Sequence, residues 1–224
     1  KGAVRGWVAS NARVNLGDVY TEGITKITAS DIRYEKETGS VIKLLGVARN
    51  TSEGIEVRGH PMLIPERRPL ASVNDSFNAV FVHGDAVDDA MFYGRGAGEL
   101  PTASAVVGDI FDIARNIQYE CCGRISCTCY KQLPIKAMDD ICSKYFLRML
   151  VENEPGVLAA VTAVFGDRKV SIEQIIQKKK IEELAEIVVI TEKVKERHVK
   201  DSLKAFEEMT AVKKVSSVIR VYGE

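Results

Sequence analysis

The last eighty residues constrain the fold most tightly, because apolar runs of strand length alternate there with two helical stripes. Tyr145 to Val151 (YFLRMLV) reads as a strand. Pro155-Gly156 opens a helix with Val157, Leu158, Val161, Val164 and Phe165 on one face and Gly166 near its end. Val170 to Gln177 and Ala185 to Thr191 are strands, and Lys178 to Glu183 between them is a solvated, charged hairpin turn. Lys195 to Met209 puts Val199, Leu203 and Phe206 on one helical stripe, and Val215 to Val221 is the last strand. The order βαββαβ predicts a ferredoxin-like domain.

The preceding residues follow a different pattern. Val4, Trp7, Val8 and Asn11 share a stripe, so Lys1 to Ala12 is expected as a short amphipathic helix. Val14 to Tyr20 reads as extended, and Thr25 to Glu37 as a helix capped by Thr28 or Ser30. Val41 to Ala48 and Ile55 to Ile64 form a predicted antiparallel hairpin in which Pro61 limits ladder pairing. His60, just before that proline, reads as hydrogen-bonded structure. Leu70 to Phe77 is expected as a short helix. Asn78 to Gly84 and Ala90 to Tyr93 are expected as strands around an acidic turn at Asp85, Asp88 and Asp89. That carboxylate spacing fits no EF-hand loop, so the turn reads as solvated. Four strands and three helices make an α+β layer, an antiparallel or mixed sheet faced by helices.

Tyr93 to Asp109 carries the chemistry-bearing pattern. Gly94, Gly96 and Gly98 stand at alternate positions, where missing Cβ atoms permit positive φ and close approach. Pro101 suits a first turn, and Val106, Val107, Ile110, Ile113 and Ala114 recur at helical spacing, giving a helix from Pro101 to Ile117. Such a joint offers free N–H groups to a phosphate, a ring or a carbonyl. The G-x-G-x-G spacing is not the dinucleotide fingerprint, and no acidic residue sits where a ribose needs one. On the glycines alone, a tight strand-to-helix joint is the preferred reading.

Lys plus Arg and Asp plus Glu are equal at 31 each, so net charge gives no attraction to nucleic acid or an anionic membrane. No apolar run reaches spanning length and no leader pattern opens the chain, which points to a cytoplasmic protein. Residues 119–143 form a linker holding all five cysteines, Cys121, Cys122, Cys127, Cys129 and Cys142. The pattern departs from the paired C-x2-C of zinc sites, and a cytosolic setting argues against disulfides. Surface or packed thiols rank first, an adventitious metal or redox site second and a structural zinc last, so no metal is expected.

Three segments carry a family resemblance. FNAVFVHGDAVDDAMFYGRGAGELPTASAVVGDI, IEVRGHPMLIPERRPLASVNDSFNAV before it, and KGAVRGWVASNARVNLGDVYTEGI at the start resemble the catalytic region of homoserine dehydrogenase, over Lys1 to about Asn116. The likeness puts Lys1 at the family's general acid/base lysine, with the family's aspartate four positions upstream and so before the first residue. Hydride reduction of an aldehyde leaves an alkoxide that must take a proton, and an ammonium can supply it. The resemblance also implies that Gly98 lies against a nicotinamide cofactor, NADP or NAD, with Gly96 and Ala97 supporting the turn. It implies a substrate site and dimer contact in this region, and a helix at 101–117 that packs on a nucleotide-binding domain. The start at Lys1, inside a helical pattern, reads as a fragment of something longer.

YFLRMLVENEPGVLAAVTAVFGDRKVSIEQIIQ closely resembles an ACT domain, an amino-acid-sensing module that pairs side by side and binds its ligand at the seam. The resemblance implies that the helix N-terminus at Gly156 receives a carboxylate, that Asn153 holds the amino acid by its amide, and that Ser171 and Ile172 face it. Many ACT domains carry aspartate where this chain has Asn153. A purely structural dimerisation module is the plainer alternative.

The resulting expectation is a catalytic region at 1–118, the linker at 119–143 and a regulatory domain at 144–224. The parent enzyme would interconvert aspartate 4-semialdehyde and homoserine, with threonine as feedback effector, in a homodimer or homotetramer. The chain alone is expected to be inactive. A non-catalytic amino-acid-binding regulatory subunit is the alternative, and a redox or metal protein built on the cysteine linker a third option.

Overall fold

The structure, a computed structural model, describes residues 10–121, 129–181 and 184–223. In chain order the described elements begin with β1 (Tyr20–Thr21), α1 (Ala29–Glu37), β2 (Ser40–Thr51), β3 (Gly54–Pro65), β4 (Phe77–Gly84), β5 (Asp88–Arg95) and α2 (Glu99–Gln118). They continue with β6 (Cys142–Glu152), α3 (Val157–Asp167), β7 (Ile172–Ile181), β8 (Leu184–Thr191), β9 (Val194–Lys195), α4 (Glu196–Glu208) and β10 (Val212–Val221). The fold is mixed α+β. The chain divides into two compact units, Lys1–Pro65 with Cys129–Glu224, and Glu66–Thr128. Contacts therefore group the chain differently from the boundaries read along the sequence, because a single sheet joins segments on both sides of the linker.

In the first unit the sheet runs β1-β3-β10-β6-β8-β7, with β2 added on β3 and β9 on β6. Its antiparallel part, β10-β6-β8-β7, sets the fourth, first, third and second strands of the βαββαβ unit side by side. One face packs Leu147 and Met149 of β6 and Ile187 and Val189 of β8 against Val161 and Phe165 of α3 and Val199 and Phe206 of α4. The Phe165 and Phe206 rings meet edge-on at 5.0 Å. The other face packs Phe146, Val188, Ile219 and Leu63 against Tyr34 of α1. Covering both faces explains why YFLRMLV shows no polar alternation. Each fully buried large apolar side chain here contributes on the order of 2 kcal/mol.

The outer edge of β3 is shared by three segments. Ile55 bridges Ile135, β1 pairs at Arg58 and Gly59, and β10 pairs in parallel at Met62 and Leu63. Pro61 falls between the last two, so its missing N–H costs no ladder bond, while the β2–β3 register runs unbroken past it at Leu44.

Several elements differ from the sequence expectation. Thr25 to Glu37 is helical only from Ala29, because Thr28 is the cap: its hydroxyl and the Asp31 carboxylate form a reciprocal capping box. Within Val14 to Tyr20 the chain makes a 3-10 turn at Leu16–Asp18, closed by Asn15 N–H donating to Asp18 at 2.9 Å. Leu70 to Phe77 is not a helix: a 3-10 turn at Pro69–Ser72 gives way to Asp75 at φ 53° and then to β4. Lys178 to Ile181 extends β7, since pairing with β8 continues to Ile181 opposite Leu184. The four strands of the expected layer fall into two sheets, because among the described residues β4 and β5 pair only with each other. The amphipathic helix at the start lies outside the described residues except for Ser10 to Ala12.

In the second unit the Phe77 and Tyr93 rings stack at 4.8 Å, with the Arg95 guanidinium 5.0 Å from the Phe77 centroid. None of the twenty residues of α2 is buried. Among the described residues, no helix is long and apolar enough to cross a membrane.

Candidate functional site

The glycine joint links β5 to α2. Gly96 N–H donates to Ser76 O at 3.1 Å, anchoring the turn to the strand entry. A Cβ on Gly96 would fall 2.2 Å from Asn78 Nδ2, so the site requires glycine unless Asn78 moves. Gly98 caps the helix at φ 127°, a backbone open to glycine and rarely to other residues. Thr102 N–H makes the first helical bond, to Gly98 O at 3.1 Å. Pro101 has no N–H, which leaves only Glu99 and Leu100 as free first-turn donors, and the Glu99 carboxylate shares that turn. A phosphate is therefore a poor guest at this helix end, while an uncharged or cationic ring can lie on the Cβ-free edge. Gly96, Ala97 and Gly98 line an open groove with Thr102, Ala103 and Val106 of α2. The structure thus brings the three expected cofactor residues together. Lys1, the expected acid, lies outside the described residues.

At the second candidate site, Gly156 is the cap residue of α3 at φ 90°, and Ala160 N–H bonds its carbonyl at 2.9 Å. No acidic residue stands in the first turn, so Leu158 and Ala159 present N–H groups at an uncompensated positive helix end. Asn153 is exposed, and its Oδ1 accepts from Gln177 Nε2 at 3.2 Å. Gln177 is the neighbour that the sequence did not single out. Ile172 opens β7, five residues before Gln177 and about 16 Å from it at strand rise, and Ser171 immediately precedes the strand. Asn153 and Gly156 are close in sequence and space, whereas Ser171 and Ile172 do not join them within one chain.

Two buried ion clusters were also missed. Arg148 donates to Asp31 Oδ1 at 3.1 and 3.0 Å and to Glu186 Oε1 at 2.8 Å, and the Tyr34 hydroxyl donates to Glu186. Burial alone would raise the Asp31 pKa, but hydrogen bonds from Thr28 and Arg148 outweigh it and hold the carboxyl below its usual range. Arg220 donates to Glu196 at 2.9 and 2.5 Å and to Glu22 at 2.9 Å, and the Tyr145 hydroxyl also reaches Glu196. The available signal was a lone arginine inside each apolar strand, YFLRMLV and SSVIRV. His60 is wholly buried; its Nδ1 lies 3.0 Å from Pro61 O, and burial lowers its pKa to about 4.

Of the cysteines, Cys121 and Cys142 are free and exposed, but Cys129 is disulfide-bonded, against the expectation of thiols throughout. Cys122 and Cys127 lie outside the described residues.

Comparison with known proteins gives these sites a context. The family model for homoserine dehydrogenase matches residues 1–111, and that for the ACT domain matches residues 145–210. The homoserine dehydrogenase of Neisseria gonorrhoeae is 43% identical over 220 residues, 96% of this chain and 51% of that protein. That of Bacillus subtilis is 38% identical over 225 residues, 100% of this chain and 52% of that protein. The crystal structure of a homoserine dehydrogenase from Thiobacillus denitrificans superposes with a TM-score of 0.90 at 37% identity, over 99% of this chain and 52% of that one. This chain belongs to the homoserine dehydrogenase family. It spans about half the length of the curated relatives it matches. The glycine joint lies in the part matched by the dehydrogenase family, and Asn153, Gly156, Ser171 and Ile172 in the part matched by the ACT family.

Proposed function

We propose that this chain is the C-terminal portion of a cytoplasmic, NAD(P)-dependent homoserine dehydrogenase that interconverts L-aspartate 4-semialdehyde and L-homoserine under amino-acid feedback. The observation that carries this reading is the match of the whole chain, glycine joint and ACT domain together, to dehydrogenases twice its length. The nicotinamide cofactor, when bound, supplies or accepts the hydride. Gly98 would lie against the nicotinamide end, with Gly96 and Ala97 holding the turn that keeps this edge free of side chains. The scarcity of first-turn donors and the presence of Glu99 leave the cofactor phosphates to residues outside this chain. Lys1 would give its ammonium proton to the alkoxide oxygen as the carbonyl is reduced, and take it back in the reverse direction.

Threonine is the proposed effector. Its carboxylate would meet the N–H groups at the start of α3, and Asn153 with Gln177 would hold its polar groups. Ser171 and Ile172 would come from the ACT domain of a second copy, in a homodimer or homotetramer, since they stand apart from Asn153 within one chain.

The test is an activity assay on this chain and on the same chain extended by the preceding half of a relative. Homoserine-dependent NADP reduction should be absent from the chain alone and present in the extended protein. In the latter, Lys1→Ala should lower kcat by about 10²–10⁴ with little change in KM. Turnover by the chain alone would overturn the reading. An inactive extended protein that still binds threonine by calorimetry would favour a regulatory subunit.

A further inference from the structure

A second pocket lies where β3, the start of β6 and the end of β10 come together, with a volume of about 120 Å³. Among the described residues, four cations line it, Arg49, Arg58, Lys136 and Lys193, against one carboxylate, Glu56. Glu56 is already shared: Arg58 Nη1 lies 3.1 Å from its Oε2, and Lys136 Nζ 3.5 Å from its Oε1. Lys136 also pairs with Glu53 at 2.8 Å, outside the pocket. Among the described residues, Arg49 and Lys193 have no ion-pair partner. Arg58 decides the matter. Its side chain is only 5% exposed, yet its Nε is buried without a hydrogen-bond partner among the described residues. A buried guanidinium is stable when each donor is met, and an unmet donor costs more than a hydrogen bond returns. The buried Ser143 also lines the wall and adds a neutral donor.

We propose that this pocket binds a small tetrahedral oxyanion, inorganic phosphate in the first instance, with Arg58 and Lys136 at the wall and Arg49 and Lys193 at the rim. The excess of three positive charges among the described lining residues favours a dianion over a monocarboxylate. The guanidinium fork matches paired oxyanion oxygens. The volume admits the tetrahedral group and excludes a nucleotide. Bound there, the anion braces the seam between the β2–β3 hairpin and the ferredoxin-like strands. The site is independent of the dehydrogenase reading.

The experiment is thermal unfolding of this chain in rising phosphate, with sodium chloride holding ionic strength constant. A saturable rise in midpoint of roughly 2–4 °C is expected. The double variant Arg49→Ala/Lys193→Ala changes only exposed rim residues; it should unfold near the parent midpoint in chloride and lose most of the phosphate shift. Equilibrium dialysis of the parent chain with radiolabelled phosphate should give close to one bound per chain. An equal shift in acetate or chloride, a full phosphate shift in the double variant, or no bound phosphate would each overturn the proposal.

Discussion

Arg148 shows how much of the fold rests on single buried charges. Its guanidinium bridges Asp31 of α1 and Glu186 of β8, and the Asp31 side chain is 0% exposed. Replacing Arg148 with methionine removes one cation and strands two buried carboxylates. The expected loss is about 3–5 kcal/mol, far above that of a surface pair. Urea unfolding of Arg148→Met at pH 7 checks it. Asp31→Asn/Arg148→Met should be less destabilised than the sum of the single variants, since the pair would be removed together. His60 acts through protons. Its folded pKa of about 4 lies below the ordinary value of about 6.5, so the unfolded chain binds more protons between these limits. Stability from the neutral ring is therefore complete above about pH 6.5 and falls as pH drops toward 4, by up to about 3 kcal/mol at 1.36 per pH unit. Asp31, with a lowered pKa, keeps its contribution until pH falls below the ordinary carboxylate range, which separates the two effects. Unfolding free energies measured between pH 4 and 7 should slope in the parent and lie nearly flat in His60→Gln.

At the scale of elements, the turn into β3 is the least tolerant joint. Gly54 sits at φ 136°, and a Cβ there would lie 2.3 Å from the Pro134 carbonyl oxygen. That carbonyl accepts the Ile55 N–H at 2.8 Å, so it cannot move without breaking the bridge to residues 134–136. Gly54→Ala should cost more than the roughly 1–3 kcal/mol of backbone strain alone. Gly156→Ala, also at positive φ but with nothing within 4 Å, should cost only the strain. Denaturant midpoints of the two variants decide the comparison. The same contrast marks what the sequence disclosed. The βαββαβ order was legible because each strand and helix has its own apolar period and its own punctuation, as at Pro155-Gly156. The cap was legible as Thr28 or Ser30 for the same local reason, and the reciprocal bond with Asp31 selects Thr28. The parallel pairing of Arg220 and Val221 with Met62 and Leu63 joins residues about 158 apart, and no local period encodes it. Lys178 to Ile181 looked like a turn because charge suggests solvent, yet the backbone ladder with β8 continues as far as Ile181 opposite Leu184. The glycine joint was visible as a motif, but the missing donor at Pro101 mattered only once Gly98 was seen to be the cap.

For the whole molecule, the largest imbalance is on α2. Leu100, Ile110, Phe111, Ile113 and Ile117 are 83%, 58%, 59%, 57% and 73% exposed, a length of apolar surface that soluble proteins rarely leave to water. β4 and β5 add Phe92 at 69% and Tyr93 at 50% in the same unit. In the first unit, by contrast, both sheet faces are covered and Leu147, Phe165 and Phe206 are 0% exposed. The two units should therefore differ sharply in local stability within one chain. Hydrogen exchange is the direct measure. Amides of β6, β8 and β10 should exchange only through global opening, while those of α2 should exchange orders of magnitude faster, since an isolated amphipathic helix gains little from water. Extending the chain by the preceding half of a relative should slow α2 exchange selectively and leave β6 unchanged. Equal protection of α2 and β6 in the chain alone would mean that the apolar face of α2 is already covered, by a second copy of the chain, and sedimentation at the same concentration would then show a dimer.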